Sequence, residues 1–321
     1  MSKVVALEIT PQAIRAAEIS GHKSKKPKLL RVGEVKLEDG ITGESSVIDI
    51  AKFADSLKTL WAKSKFTTKT VGVVISGRRF IVRPHTTGHT SLDILRNVLP
   101  YEAPGAFPEQ VSNLLFDFYP THEVATKAGI RTEGLVISSP SDSINEIALG
   151  LDRAKLDLEY VEFAPLAVSR WVRNNLEGEN YVIVNIRDES TDIVLVERGM
   201  PRMIRVVSKG LSPNRRKFRG ETDEEHLLRR DVIGDSGIKI LVQDIGMTIQ
   251  SQMDEGISSI ECIYISGPRA EDSSLIAMLE ENFEVPAKPL AITTIDETDE
   301  YEENNIQPRL DAFVAMCGGM R

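Results

Sequence analysis

The sequence is short of cysteine, of long apolar runs and of positive charge. Two cysteines, Cys262 and Cys317, occur in 321 residues. That number excludes a disulfide-stapled scaffold and fits a reducing compartment. Near the start the longest apolar run is Val4-Val5-Ala6-Leu7, soon followed by Glu8. It is too short for a signal-peptide core, and no segment approaches the ~18 apolar residues of a membrane span. Lys and Arg number 39 against 48 Asp and Glu, a net charge of −9. Phosphate binding wants a basic face, so nucleic acid is not an expected partner. No Gly-x-x-x-x-Gly-Lys-Ser/Thr phosphate loop is present. What is there is ordinary globular chemistry: 41% hydrophobic and 27% charged residues, which excludes a wholly disordered chain. The length suggests two or three domains. The expectation is a soluble cytoplasmic protein that reaches a membrane only through a partner or a surface patch.

Alternating apolar residues predict strands at 3–9, 14–19 and 29–37. Val47, Ile50, Ala51, Ala54, Leu57 and Trp61 recur at three- and four-residue spacing, one face of a helix. Val71–Ile75 then reads as a buried strand. Residues 78–162 break this rhythm and predict an inserted α+β subdomain. It would hold a strand at 80–82, a helix from Ser91 to Tyr101-Glu102, paired strands at 114–118 and 134–138 around a polar loop at 121–132, a helix at 142–156 and a strand at 158–163. After a returning helix near 165–174, the first pattern recurs: strands at 181–186, 192–197 and 203–207, a helix at 223–255, a strand at 261–265 and helices at 273–283 and 310–317.

The two halves superimpose. Glu8-Ile9-Thr10 matches Asn185-Ile186-Arg187 at an offset of 177 (185 − 8), and each is followed by a strand ending in an acidic residue, Glu18 and Glu197. A repeated strand-strand-strand-helix-strand unit predicts an α/β, actin-like fold of duplicated ribonuclease-H-like halves. The domain boundaries expected are 1–77 for the first half, 78–162 for the insert, and 163–321 for the returning helix and second half.

On these motifs the chain resembles the PilM family of type IV pilus assembly proteins. That family lies among the actin-like ATPases that also include the cell-division protein FtsA. The family's first turn, Asp-Ile-Gly-Ser, falls on Glu8-Ile9-Thr10-Pro11. Its second falls on Asn185-Ile186-Arg187-Asp188-Glu189-Ser190-Thr191, and its third, Ser-Gly-Gly-Gly, on Ser266-Gly267-Pro268-Arg269. The insert matches the family subdomain called 1C or SHS2, through Val73–Gly77, Leu95–Pro108 and the strand-helix-strand from Leu135 to Phe163.

The resemblance implies an ATP and Mg²⁺ pocket at those turns, with Glu8, Thr10, Asn185, Arg187, Ser190 and Gly267 as its cofactor-binding positions. The residues depart from what such a pocket needs. Phosphate binding needs glycine so that backbone N–H groups can approach, and Mg²⁺ needs carboxylates. Thr10 and Pro11 replace Gly and Ser, and Pro removes a donor. Asn185 replaces Asp without its charge, and Arg187 replaces Gly. Pro268 and Arg269 replace two glycines. Glu8 is the retained carboxylate. Losses at three turns predict a pseudo-ATPase with no cofactor and no catalytic residue. The opposing reading is a modified pocket in which Arg187 and Arg269 supply charge to phosphate, in an active ATPase that gates partner binding.

The resemblance also implies a partner. Family members hold the N-terminal cytoplasmic tail of an inner-membrane protein, PilN, in a groove beside the insert. Such a groove needs apolar lining and backbone donors, and Phe80, Val82, Leu95, Leu99 and Tyr101 are the candidate lining, with Leu114, Phe116 and Phe118 nearby. His85 and His89 have ligand-like spacing, but Pro84 and Gly88 argue for a loop, so no metal is expected. Cys262 reads as a small core residue. Lysines 23, 25, 26 and 28 and the basic run Arg215–Arg219 read as solvated turns or contacts near a membrane surface. The expected function is a scaffold, peripheral at the inner membrane. It would link a pilus or type II secretion-like machine to its cytoplasmic side and hold a PilN-like tail and other platform proteins. A membrane-associated actin-like filament is the further alternative.

Overall fold

The computed structural model describes residues 3–21, 28–43, 46–77, 79–88, 91–102, 113–127, 129–187, 190–211, 223–254, 259–267 and 269–290, with the side chains of 92–93 and 223–235 excepted. The helix expected at 310–317, Cys317, His89, Pro268, Lys23, Lys25, Lys26 and the basic run at 215–219 lie outside the described residues. The chain divides into two compact units, Met1–Asn175 and Leu176–Ala291.

In the first unit, β1 (Lys3–Ile9), β2 (Ala13–Ser20) and β3 (Lys28–Lys36) form an antiparallel meander. Then come α1 (Ile50–Ser64) and β4 (Thr70–Ile75), which pairs parallel with β1. Asp49 caps α1 by accepting from the N–H groups of Ala51 and Lys52, the role an acidic N-cap performs for otherwise unbonded donors. Phe53, Ala54, Leu57 and Leu60 form its buried face. Val4, Val5, Ala6 and Leu7 are all buried, so β1 is covered on both faces and reads as a continuous apolar run rather than an alternation.

The insert is a three-stranded sheet, ordered β5-β7-β6, from β5 (Ile81–Thr87), β6 (Leu114–Thr126) and β7 (Gly129–Pro140), with α2 (Leu92–Glu102) packed on β6. Its core is Leu95, Leu99, Leu114, Phe118 and Val136. Two expectations change here. The polar loop expected at 121–132 is a hairpin: β6 and β7 stay paired out to Thr126 and Gly129. Beyond Thr132 no β5 residue backs β7, so this ribbon meets solvent and carries no apolar alternation to read. The insert is also smaller than 78–162. α3 (Ser141–Arg153) packs on α1, and β8 (Asp157–Phe163) pairs parallel with β4. The first sheet is therefore β3-β2-β1-β4-β8. A parallel neighbour requires a crossover connection, and the insert is housed within that crossover. Helix α4 (Ala164–Asn175) closes this unit.

The second unit repeats the plan. Strands β9 (Tyr181–Ile186), β10 (Thr191–Glu197) and β11 (Met200–Val207) are followed by α5 (Asp223–Met253), β12 (Cys262–Ser266), α6 (Ser273–Phe283) and β13 (Ala287–Pro289), in the sheet order β11-β10-β9-β12-β13. Ile238, Leu241, Val242, Ile245 and Ile249 of α5 pack on this sheet with Leu275 and Leu279 of α6. The three-residue β13 carries too little pattern to be read from sequence.

Candidate functional site

The turn after β1 is built by strand register. Antiparallel pairing sets Glu8 across from Arg15, and Arg15 across from Glu34. Arg15 donates from Nη1 to Glu8 Oε2 at 2.8 Å and from Nε to Glu34 Oε2 at 2.7 Å. Glu8 and Arg15 are both buried, so each charge is matched where water is excluded. Thr10 closes the turn. Its hydroxyl donates to the Ala13 carbonyl at 3.0 Å and accepts from the Ala13 N–H at 3.1 Å, and its own carbonyl accepts from Thr42 Oγ1 at 2.8 Å.

The turn after β9 has the same register. Asn185 lies across from Asp192 on one side and Ser266 on the other, making a polar row across three strands. Asp192 is wholly buried. Its carboxylate accepts from Arg187 Nη2 at 2.7 Å and from Asn185 Nδ2 at 3.3 Å. Asn185 Oδ1 accepts from Ser266 Oγ at 2.8 Å. The Arg187 N–H donates to the carbonyl of Ser190, which is buried, and the Arg187 carbonyl accepts from Leu211 N–H. Asp192 escaped the sequence reading, although the offset of 177 carries Arg15 onto it (192 − 15). The same cross-strand position holds a cation in one half and an anion in the other.

At the third turn Gly267 has φ of 111°, and an added Cβ would lie 1.9 Å from the Ile186 carbonyl oxygen. Glycine is required there by both conformation and space. Arg269 is bound to Asp272, which caps α6 by accepting from Ser274 and Leu275 N–H. Burial alone would raise the Asp272 carboxyl, but hydrogen bonds from Arg269 and those two N–H groups hold it below the usual carboxylate range. Each of the six expected cofactor positions is thus described. Glu8, Thr10, Asn185 and Arg187 have side-chain partners within their own unit, and Ser190 and Gly267 serve the backbone of a turn. A phosphate or metal ion would compete with these bonds. Among the described residues no cluster of three or more His, Cys, Asp or Glu is placed to hold a metal.

The expected partner-binding residues separate. Leu95 and Leu99 are buried in the insert core, and Val82 is buried too, so these three are structural rather than accessible lining. The physical reason is helical spacing: Leu95 and Leu99, four apart, share the face of α2 that meets β6. Tyr101, on the same helix, is 83% exposed. Phe80 stacks on Phe163 with ring centroids 4.9 Å apart, and both line a cavity of about 470 Å³. The walls of this cavity are Leu115–Tyr119 of β6 and Glu159–Phe163 of β8, with Arg96 of α2, Ile144 of α3 and Leu166 of α4 also contributing. Asp117 accepts from Arg96 Nε at 2.9 Å, and Glu162 accepts from both Arg170 Nη atoms at 3.1 Å. Sequence reasoning reached Phe80, Phe116 and Phe118 but not β8, because only the tertiary fold brings β8 alongside β6.

Two sheets of the same strand order, each with its antiparallel meander and parallel additions, and an insert in the first crossover define an actin-like fold. No family model and no curated protein matches the chain. Among solved structures, a chain of a PilM-PilN type IV pilus biogenesis complex is similar over 100% of this chain and 99% of its own, with a TM-score of 0.84 at 19% identity. The ethanolamine utilization protein EutJ from Carboxydothermus hydrogenoformans is similar over 99% and 89%, with a TM-score of 0.55 at 9% identity. The cytoplasmic domain of EpsL, an inner-membrane component of the type II secretion system of Vibrio cholerae, is similar over 99% and 94%, with a TM-score of 0.52 at 10% identity. The fold is therefore that of PilM. Among the described residues no helix is long and apolar enough to cross a membrane.

Proposed function

We propose that this protein is an actin-like scaffold of a type IV pilus or type II secretion-like assembly machine. It would act at the cytoplasmic face of the inner membrane and hold the N-terminal tail of a PilN-like partner. The observation that carries this reading is the end-to-end likeness to a chain of the PilM-PilN complex; the weaker likeness to EpsL points to the same kind of machinery. The cavity between β6 and β8 is the place for the tail, because it is concave, largely apolar and walled by strands. A synthetic peptide copying the tail of the cognate PilN-like protein tests it. Micromolar binding, with amide shifts confined to β6, β8 and their neighbours, is expected. Absence of any shift would overturn the reading.

The protein does this as a pseudo-ATPase. Arg15 and Arg187 neutralise the carboxylates beside the first two turns, so these groups are not presented to Mg²⁺. Titration with Mg-ATP should give no heat of binding up to millimolar nucleotide. Micromolar binding would favour the nucleotide-gated alternative.

A further inference from the structure

The first unit is basic at one end of its sheet. β1 runs parallel to β4, and β4 to β8, so these strands start at the same end. Helix α1 leads into β4 and α3 into β8, so both helix C-termini arrive there too. Lys3, Lys63, Lys65, Lys69, Arg153 and Lys155 stand exposed on these segments, against the exposed carboxylates of Asp152 and Asp157. Earlier on α1, Lys52 and Lys58 are paired with Glu38 and Asp55. Among the described residues, Lys63, Lys65, Lys69, Arg153 and Lys155 have no such carboxylate partner. Helix dipoles account for part of this charge, because cations are favoured at helix C-termini. They do not account for Lys3 or Lys69, and they do not impose it. In the second unit β9, β12 and β13 also start at one end. There Glu179, Glu261, Glu281 and Glu284 are exposed, against Arg198 and Lys288, and the last turn of α6 carries no basic residue. Corresponding ends of the two sheets thus have opposite charge.

A second feature of the basic end points to lipid. Trp61 and Phe66 lie half-buried among its lysines, edge to face, with ring centroids 5.2 Å apart. Trp61 Nε1 donates to the Thr68 carbonyl at 3.0 Å, which fixes the indole where the chain leaves α1. Amphipathic rings of this kind sit at the headgroup level of a bilayer, and lysine stems lie along apolar surface while their ammonium groups reach outward. We propose that this end of the first sheet binds an anionic lipid surface directly, its cations on headgroup phosphates and Trp61 and Phe66 at headgroup depth. The acidic end of the second sheet is repelled by the same surface, so the first unit is the one that meets the lipid. This goes beyond the scaffold reading and needs no partner tail; binding of the tail peptide in vesicle-free solution reports on that reading alone.

The test is co-sedimentation of the full chain with vesicles of phosphatidylcholine alone and of phosphatidylcholine mixed equally with phosphatidylglycerol. Binding to the mixed vesicles only, weakening as salt is raised, is expected. The variant Lys63→Gln, Lys65→Asn, Lys69→Gln should bind about a hundredfold more weakly, at about fivefold per near-surface charge. Its melting temperature should stay unchanged, because all three side chains are exposed; asparagine suits the left-handed backbone of Lys65, whose φ is 52°. Trp61 emission should shift to shorter wavelength on mixed vesicles, with Trp171 buried as an unchanging background. Equal binding to both vesicle types, no binding to either, or a variant within threefold of wild type would overturn the proposal. Salt-sensitive self-association in analytical ultracentrifugation, lost in the variant and without vesicle binding, would overturn it in favour of a second copy's acidic end as the occupant.

Discussion

Removing the Asp192 carboxylate should destabilise the second unit. The side chain is wholly buried, while Arg187 retains 17% exposure. Asp192→Ala strips the guanidinium of this counter-charge and takes the acceptor from Asn185 Nδ2. Breaking a buried pair from one side costs about 3–5 kcal/mol. The partial exposure of Arg187 places this case near the lower end, about 3 kcal/mol. At roughly 2–4 °C per kcal/mol, the melting temperature falls by ~6–12 °C. Asp192→Asn keeps the shape and an acceptor oxygen, so its loss should be about 1–2 kcal/mol. The double variant Arg187→Leu with Asp192→Leu removes both charges and should recover most of the stability lost by Asp192→Ala. Urea denaturation and thermal melts followed by circular dichroism measure all three. An Asp192→Ala protein within ~0.5 kcal/mol of wild type would refute the claim that this pair is a buried structural one, and would reopen Asp192 and Arg187 as ligand-facing groups.

Leu99→Ala should cost about 2–5 kcal/mol, as a wholly buried leucine in a small core, whereas Tyr101→Ser on the same helix should change stability by less than about 0.5 kcal/mol; chemical denaturation separates them. Asp272 has a depressed carboxyl, so the unfolded chain binds its proton more readily than the folded one. Its contribution is fully present above the ordinary value of 3.8 and is lost as pH falls through the lower folded value. Asp272→Asn, which can still cap α6, should therefore be less stable than wild type at neutral pH. The difference should shrink when melts are repeated below that value. A difference that does not vary with pH would show that the charge of Asp272 is not what it contributes.

Most of the elements were legible in the sequence because their faces differ in polarity. β1, β4, β9 and β12 announce themselves as apolar runs, and α1 by its spaced apolar face. The ribbon at 121–132 carries a loop-like pattern because both its faces meet water and nothing enforces alternation. The sequence pattern places α3 and β8 with the insert because local pattern does not say which sheet a strand joins; that depends on the hydrogen bonds β8 makes with β4. The site shows the same division. The sequence alone showed that the turns had lost their glycines and that two halves were repeated at a constant offset. It could not show that Arg15 and Arg187 would turn back onto carboxylates of their own unit, since cross-strand partners are neighbours only after pairing.

The repeated strand pattern determined the class of fold, and the shortages of cysteine, long apolar runs and positive charge removed other classes of protein, because composition and periodicity are properties of the chain itself. Which leucines are core and which surface is open was decided by tertiary structure. Leu95 and Leu99 are as apolar as any groove residue, but α2 turns them inward against β6. Tyr160, unremarked in the sequence, gains its position from the pairing of β8 with β4 and the missing Cβ of Gly72. Side chains carry their chemistry in the sequence, but their accessibility arises from contacts between segments far apart along the chain, and those exist only in the folded molecule.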